Sequence, residues 1–184
     1  MRPERVPPTA PSDWVVRHAA LAPVGVAVLD VACGNGRHTR WFLDRGHPVV
    51  DVDRDPASVA DLLGHERLEV VEADLELGGS PELPDPLRGR TFGAVVVTNY
   101  LHRPILGALV AAVAPGGALI YETFARGNER FGRPTNLDFL LEPGELLETV
   151  RGHLRVVAYE DVVVDAPRPA CVQRIAATRP APTP

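Results

Sequence analysis

The sequence predicts a doubly wound α/β domain: a mostly parallel seven-stranded sheet with an antiparallel final strand and helices on both faces. Three observations carry this. Short apolar runs alternate with segments of helical character, the pattern of successive βαβ units. Phe92–Thr98 is apolar almost throughout, as in a strand buried on both faces. Near the carboxyl end, Pro167 and Pro169 separate two further apolar runs, and a tight or extended connection there suits an antiparallel pair.

The elements follow in order. Residues 1–12 are Pro-rich and read as a flexible segment, with the domain over 13–179 and a tail over 180–184. Ser12 suits the cap of a helix over Asp13–Leu21. Val26–Val31 is a buried strand, Gly36–Arg45 a helix ended by Gly46, and His47–Val52 a second strand. Pro56 sits in the first turn of a helix over Pro56–Leu63, and Leu68–Ala73 is a third strand. Gly78–Arg90 is rich in Gly and Pro and reads as a loop. After the Phe92–Thr98 strand come a helix over Ile105–Val113, a turn at Pro115-Gly116-Gly117 and a fifth strand over Ala118–Glu122. The polar stretch Phe124–Leu141 precedes a helix over Pro143–Val150, and strands near Leu154–Glu160 and Cys171–Ala177 close the sheet.

Composition bounds the function. The 184 residues fit a single domain with a core large enough to fold alone. No apolar run is long enough to span a membrane, and the first residues lack the apolar core of a secretion signal, so the expected location is the cytoplasm. The net charge of −5 argues against nucleic acid as a partner. All 19 basic side chains are arginine, which removes every mechanism built on a lysine nucleophile. Cys33 and Cys171 form no disulfide framework, and no Cys/His spacing resembles a zinc site, so no metal is expected.

The chemistry gathers at strand ends. The first strand ends in Asp30 and runs into Gly34-Asn35-Gly36, where absent side chains let a ligand approach the backbone. A dinucleotide fingerprint would need a third glycine, and Arg37-His38-Thr39 follows instead. A carboxylate at that strand end repels a pyrophosphate and favours a cationic ligand. The second strand ends at Asp53, about twenty residues on, where an acid suits ribose hydroxyls. The third strand ends in Asp74, placed to accept from an adenine amino group, and the fourth in Asn99-Tyr100-Leu101-His102.

With LDVACGNGR at Leu29–Arg37, VDVDRDP at Val50–Pro56, EADLE at Glu72–Glu76 and APGG at Ala114–Gly117, the chain resembles a class I S-adenosylmethionine-dependent methyltransferase from about Trp14 to Thr178. CGNGRH at Cys33–His38 is similar to the glycine turn of small bacterial tellurite-resistance-type members. The resemblance implies a Rossmann-like sheet with S-adenosylmethionine as cofactor and S-adenosylhomocysteine as product. It implies that Ala32, Cys33, Gly34, Asn35 and Gly36 pack against the methionine moiety and that Asp30 holds its ammonium through water. Asp53 would hold the ribose, Arg54 would lie beside the adenine, and Asp74 and Leu75 would bind it. Asn99 would approach the methionine end. Arg17 is either a partner for the cofactor carboxylate or a surface arginine.

Methyl transfer needs alignment first and a base only for a protonated acceptor. Tyr100 and His102 are the catalytic candidates, His102 for substrate contact or proton removal, with a helix-capping role as its alternative. Tyr121, Glu122, Phe124, Arg130 and Arg133 are the substrate-side candidates. The long Phe124–Leu141 segment is either a lid whose arginines read an anionic group or a solvated loop whose arginines pair locally. The sequence lacks a separate substrate domain, which favours a small-molecule acceptor and a monomer or homodimer. RNA or protein methylation, and cofactor binding without transfer, stand as alternatives.

Overall fold

The computed structural model describes residues 10–182. Helix α1 (Asp13–His18) is capped by the Ser12 hydroxyl, which accepts from the Trp14 amide, and continues as a 3₁₀ turn over Ala19–Leu21. Strand β1 (Val28–Val31), helix α2 (Arg37–Leu43), β2 (Val49–Asp53), β3 (Leu68–Glu72) and β4 (Phe92–Thr98) follow. After them come α3 (Leu106–Ala111), β5 (Val113–Phe124), α4 (Glu145–Val150), β6 (Arg155–Val164) and β7 (Ala170–Thr178). The sheet runs β3-β2-β1-β4-β5-β7-β6, and β7 is antiparallel to both its neighbours. The expected seven-stranded, mostly parallel sheet is therefore present.

Strand alternation sorts the core into two layers. Leu29, Val31, Val50, Val52, Val95 and Leu119 face α3 and α4, where Leu109 and Leu146 close the layer. Val28, Val49, Ala94, Val96 and Ile120 face the other way, onto Trp14 and Val15 of α1 and Phe42 of α2. The Trp14 indole nitrogen donates to the Ile175 carbonyl at 3.2 Å, so burial leaves no orphaned donor.

Three local expectations are corrected. The helix over Pro56–Leu63 is a kinked 3₁₀ segment, Pro56–Leu62, broken at Val59. The Pro115-Gly116-Gly117 turn lies inside the twelve-residue β5, where the ladder to β4 is irregular between Phe92 and Ala94. A Cβ on Gly117 would stand 2.8 Å from the Gly93 carbonyl, so only glycine fits this close approach. The helix predicted from Ile105 starts as a 3₁₀ turn over Arg103–Ile105. Of the segment expected to be flexible, residues 1–9 lie outside the described residues. Its end is held: the Ala10 carbonyl accepts from Arg37, and the Ser12 amide donates to His38.

Candidate cofactor site and its acceptor end

The strand order reverses between β1 and β4, and ligands in such sheets sit outside the carboxyl ends of the strands at that point. A cavity of about 280 Å³ opens there, lined by Ala32, Asp53, Arg54, Ala73, Asp74, Leu75, Glu76 and Tyr100. The ends of β1, β2, β3 and β4 thus converge on one space.

The turn after β1 is built from left-handed residues: Ala32 at φ 51°, Gly34 at φ 55° and Gly36 at φ 69°. The two glycines serve different ends. A Cβ on Gly36 would meet Val59 Cγ1 at 2.7 Å, whereas one on Gly34 would meet no protein atom within 4 Å. Gly36 therefore answers to packing, and Gly34 faces open space. The Gly34 amide donates to Asp53 Oδ2 at 2.9 Å, and Asp53 Oδ1 accepts from the Asp55 amide at 3.0 Å. Asp74 Oδ1 is fixed by the Glu76 amide at 2.9 Å. Asn99 also takes a positive φ, 55°, and donates its amide to the Glu122 carbonyl.

Asp30 is not on the cavity wall. The parallel register pairs Asp30 with Asp51, and both side chains point under α2. Asp30 is 1% exposed and Asp51 fully buried. Asp30 Oδ2 accepts from the Thr39 amide at 3.0 Å and contacts the Thr39 hydroxyl at 2.9 Å; that hydroxyl also meets Asp51 Oδ1 at 2.6 Å. One hydroxyl proton serves only one of these contacts, so a carboxyl proton fills the other. Burial, then the Asp51 charge, raises Asp30 to about 8, and burial raises Asp51 to about 6. Asp30 thus anchors the first turn of α2 rather than lining the cavity. Burial likewise pushes the Cys33 thiol far above its ordinary range, so Cys33 fills space as a neutral group.

Arg17 lies on the exposed side of α1 and pairs with Glu160 of β6 at 3.5 Å. Sequence reasoning missed Arg37. As the first residue of α2 it reaches from the glycine turn to Thr98 Oγ1, at the end of β4, at 3.3 Å. It therefore spans the gap between the β1 and β4 ends. The signal was there in the CGNGRH run. The neighbouring His38 is buried, and burial together with the Arg37 charge pushes it down to about 3. Its neutral Nε2 accepts the Ser12 amide at 3.1 Å.

At the acceptor end the candidates separate. Tyr100 lines the cavity, and its hydroxyl is buried without a protein partner. Burial, with Glu76, Asp74 and Asp53 nearby, raises its phenol, which stays protonated. His102 caps the 3₁₀ turn by position, with a buried Nε2 that lacks a protein partner. Tyr121 is a core residue: it is 1% exposed and its hydroxyl donates to the Tyr100 carbonyl at 2.8 Å. Glu122 accepts from Ser12 Oγ at 2.7 Å and pairs with Arg174, so it ties the chain entering α1 to the sheet. Phe124 is half-buried on β5 opposite Val172.

The Phe124–Leu141 segment is held at both ends. Ala125 bridges to Leu141, and Arg126 pairs with Glu142. Asn128 Nδ2 donates to the Pro134 carbonyl, and Arg103 binds the carbonyls of Asp138 and Leu140 as well as Glu145. Arg130 turns back on the Gly127 carbonyl. Arg133 is exposed and, among the described residues, its guanidinium has no protein partner. Phe131, Leu137 and Phe139 are exposed beside it in sequence.

Residues 28–117 match the family model described as a methyltransferase domain. The chain is 33% identical over 120 residues to the dTDP-3-amino-3,4,6-trideoxy-alpha-D-glucopyranose N,N-dimethyltransferase of Streptomyces venezuelae, a match covering 57% of this chain and 48% of that one. The chain thus spans about half the length of this curated relative. The fold is similar to the crystal structure of TehB from Haemophilus influenzae, with TM-score 0.71 and 17% identity over 91% of this chain and 61% of that one. It is also similar to Burkholderia thailandensis 1,6-didemethyltoxoflavin-N1-methyltransferase, solved with 1,6-didemethyltoxoflavin and S-adenosylhomocysteine bound. There the TM-score is 0.63 and the identity 23%, over 91% of this chain and 76% of that one. Residues 28–117 thus carry a methyltransferase-domain match, and the chain shares the fold of these solved structures.

Proposed function

We propose that this chain binds S-adenosylmethionine in the cavity between the β1–β4 ends and transfers its methyl group to a small-molecule acceptor. The observation that carries the reading is the Asp53–Gly34 bond: the acid at the β2 end is already joined to the turn at the β1 end, with Arg54, Asp74 and Leu75 around the same cavity. The residues fit the cofactor on geometry. Gly34 presents backbone to open space, Asp53 and Asp74 offer acceptors, and Tyr100 offers an unpartnered hydroxyl.

In this reading Asp53 holds the ribose hydroxyls, Arg54 packs beside the adenine, and Asp74 and Leu75 bind the adenine edge and face. The Ala32–Gly36 backbone and Asn99 border the methionine end, and Arg37 takes the carboxylate role first considered for Arg17. When bound, the cofactor supplies a methyl group on a sulfonium, open to in-line displacement by an acceptor lone pair. The protein's part is alignment and exclusion of water. Tyr100, kept neutral, donates a hydrogen bond and shapes the pocket. His102 receives the acceptor proton where the acceptor arrives protonated, and Arg133 with its apolar neighbours meets the rest of the acceptor. Two matched proteins carry small-molecule methylation in their names, which supports an acceptor of that size.

Titration calorimetry tests the reading. S-adenosylmethionine and S-adenosylhomocysteine are expected to bind with micromolar affinity, and Asp53→Ala to weaken both at least about tenfold. Binding of a nicotinamide dinucleotide with no response to S-adenosylmethionine would overturn it. Transfer of labelled methyl to a pool of small metabolites tests the activity, and binding without transfer to any pool would favour a regulatory role.

A further inference from the structure

The sheet has two free edges of different character. The β3 edge is five residues long and carries Glu69, paired with Arg90, and Glu72. The β6 edge is ten residues long and contains neither proline nor lysine. It exposes Val156 at 41%, Val157 at 45%, Val162 at 36% and Val163 at 53%. A long apolar edge strand invites pairing with another strand.

The order of residues on β6 says which strand fits. From Arg155 to Asp165 the chain reads RVVAYEDVVVD, with valines at both ends of the same central run. In a two-fold pairing, residue i of one copy meets j of the other, and j meets i. An antiparallel pairing centred between Tyr159 and Glu160 sets Val156 against Val163 and Val157 against Val162, twice over. The same pairing sets Arg155 of one copy against Val164 of the other. At the centre, Glu160 is already compensated by Arg174 and Arg17, so two copies do not oppose bare carboxylates.

We infer that the chain forms a two-fold homodimer by antiparallel pairing of β6 with β6 of a second copy. The cavity lies at the ends of the strands on the other side of the sheet, so both sites stay open. The inference stands on the edge alone and does not rest on the proposed activity.

Sedimentation equilibrium on the full chain, up to about 100 µM, tests it. The wild type is expected at twice the 19.8 kDa of one chain. Val163→Lys is expected to give the single-chain mass with an unchanged circular dichroism spectrum, since Val163 is exposed. Val157→Lys, at the other end of the same run, is expected to have the same effect. A wild type that stays at the single-chain mass leaves the edge to another protein's strand or to solvent, and overturns the inference. A dimer that survives Val163→Lys or Val157→Lys places the contact elsewhere and overturns it equally.

Discussion

Asp30 and Asp51, paired in register on β1 and β2, share the single hydroxyl of Thr39. Two buried carboxyls joined through one hydroxyl hold a proton at neutral pH. Both are raised above the ordinary carboxylate value of 3.8, Asp30 to about 8. The folded chain therefore binds more protons than the unfolded chain across that window. This contribution to stability is full below the unfolded value and is lost as pH rises toward the folded one. Urea unfolding between pH 6 and 9 is expected to show stability falling by on the order of 1–3 kcal/mol. Asp51→Asn, which keeps an acceptor for Thr39 and removes one charge, is expected to flatten that slope.

The two glycines of the turn are expected to respond differently to alanine. Gly36→Ala places a methyl 2.7 Å from Val59 at φ 69°, and a loss of about 2–4 kcal/mol in stability is expected. Gly34→Ala meets no protein atom and costs only about 1 kcal/mol for its left-handed backbone. Its methyl enters the space read here as the methionine end. Calorimetry is therefore expected to show lost cofactor affinity in a chain that melts almost normally.

Arg37 and Arg17 offer a paired comparison. Arg37→Ala removes the guanidinium that reaches Thr98 and the Ala10 carbonyl, and is expected to weaken cofactor binding by about 1.5–3 kcal/mol. Arg17→Ala breaks an exposed pair with Glu160 and is expected to leave cofactor affinity unchanged. Equal effects of the two on affinity would remove Arg37 from the site.

Arg103 is the clamp on the Phe124–Leu141 segment, through Glu145 and the carbonyls of Asp138 and Leu140. Arg103→Ala is expected to cost about 1–3 kcal/mol and to open the segment to limited proteolysis between Phe131 and Phe139. Cleavage at the wild-type rate would show that the segment is held by other means.

The sheet and its cavity were legible because they follow from pattern. A buried strand that ends in a glycine turn or an acid reports both its direction and its ligand end, and Asp53, Asp74, Leu75 and Tyr100 fall where that logic puts them. Side-chain direction within a strand end was less legible. Asp30 stands one residue from Leu29 and two from Ala32, yet strand alternation turns it under α2, and only the register with Asp51 reveals its neighbour. Arg17 kept two readings because a helix signal does not say which face lies toward the site. The kink at Val59 and the irregularity at Gly117 answer to contacts with distant backbone and side chains, which local propensity does not contain.

The sheet separates two apolar layers that share no member, one around Trp14 and Phe42, the other around Leu109 and Leu146. Free-energy changes add when residues share no partners. Damage to one layer should therefore sum with damage to the other, with a coupling energy within about 0.5 kcal/mol of zero. A pair such as Phe42→Ala with Leu146→Ala probes this, and it means that substitutions accumulating on the α1–α2 side would leave the tolerance of the α3–α4 side untouched.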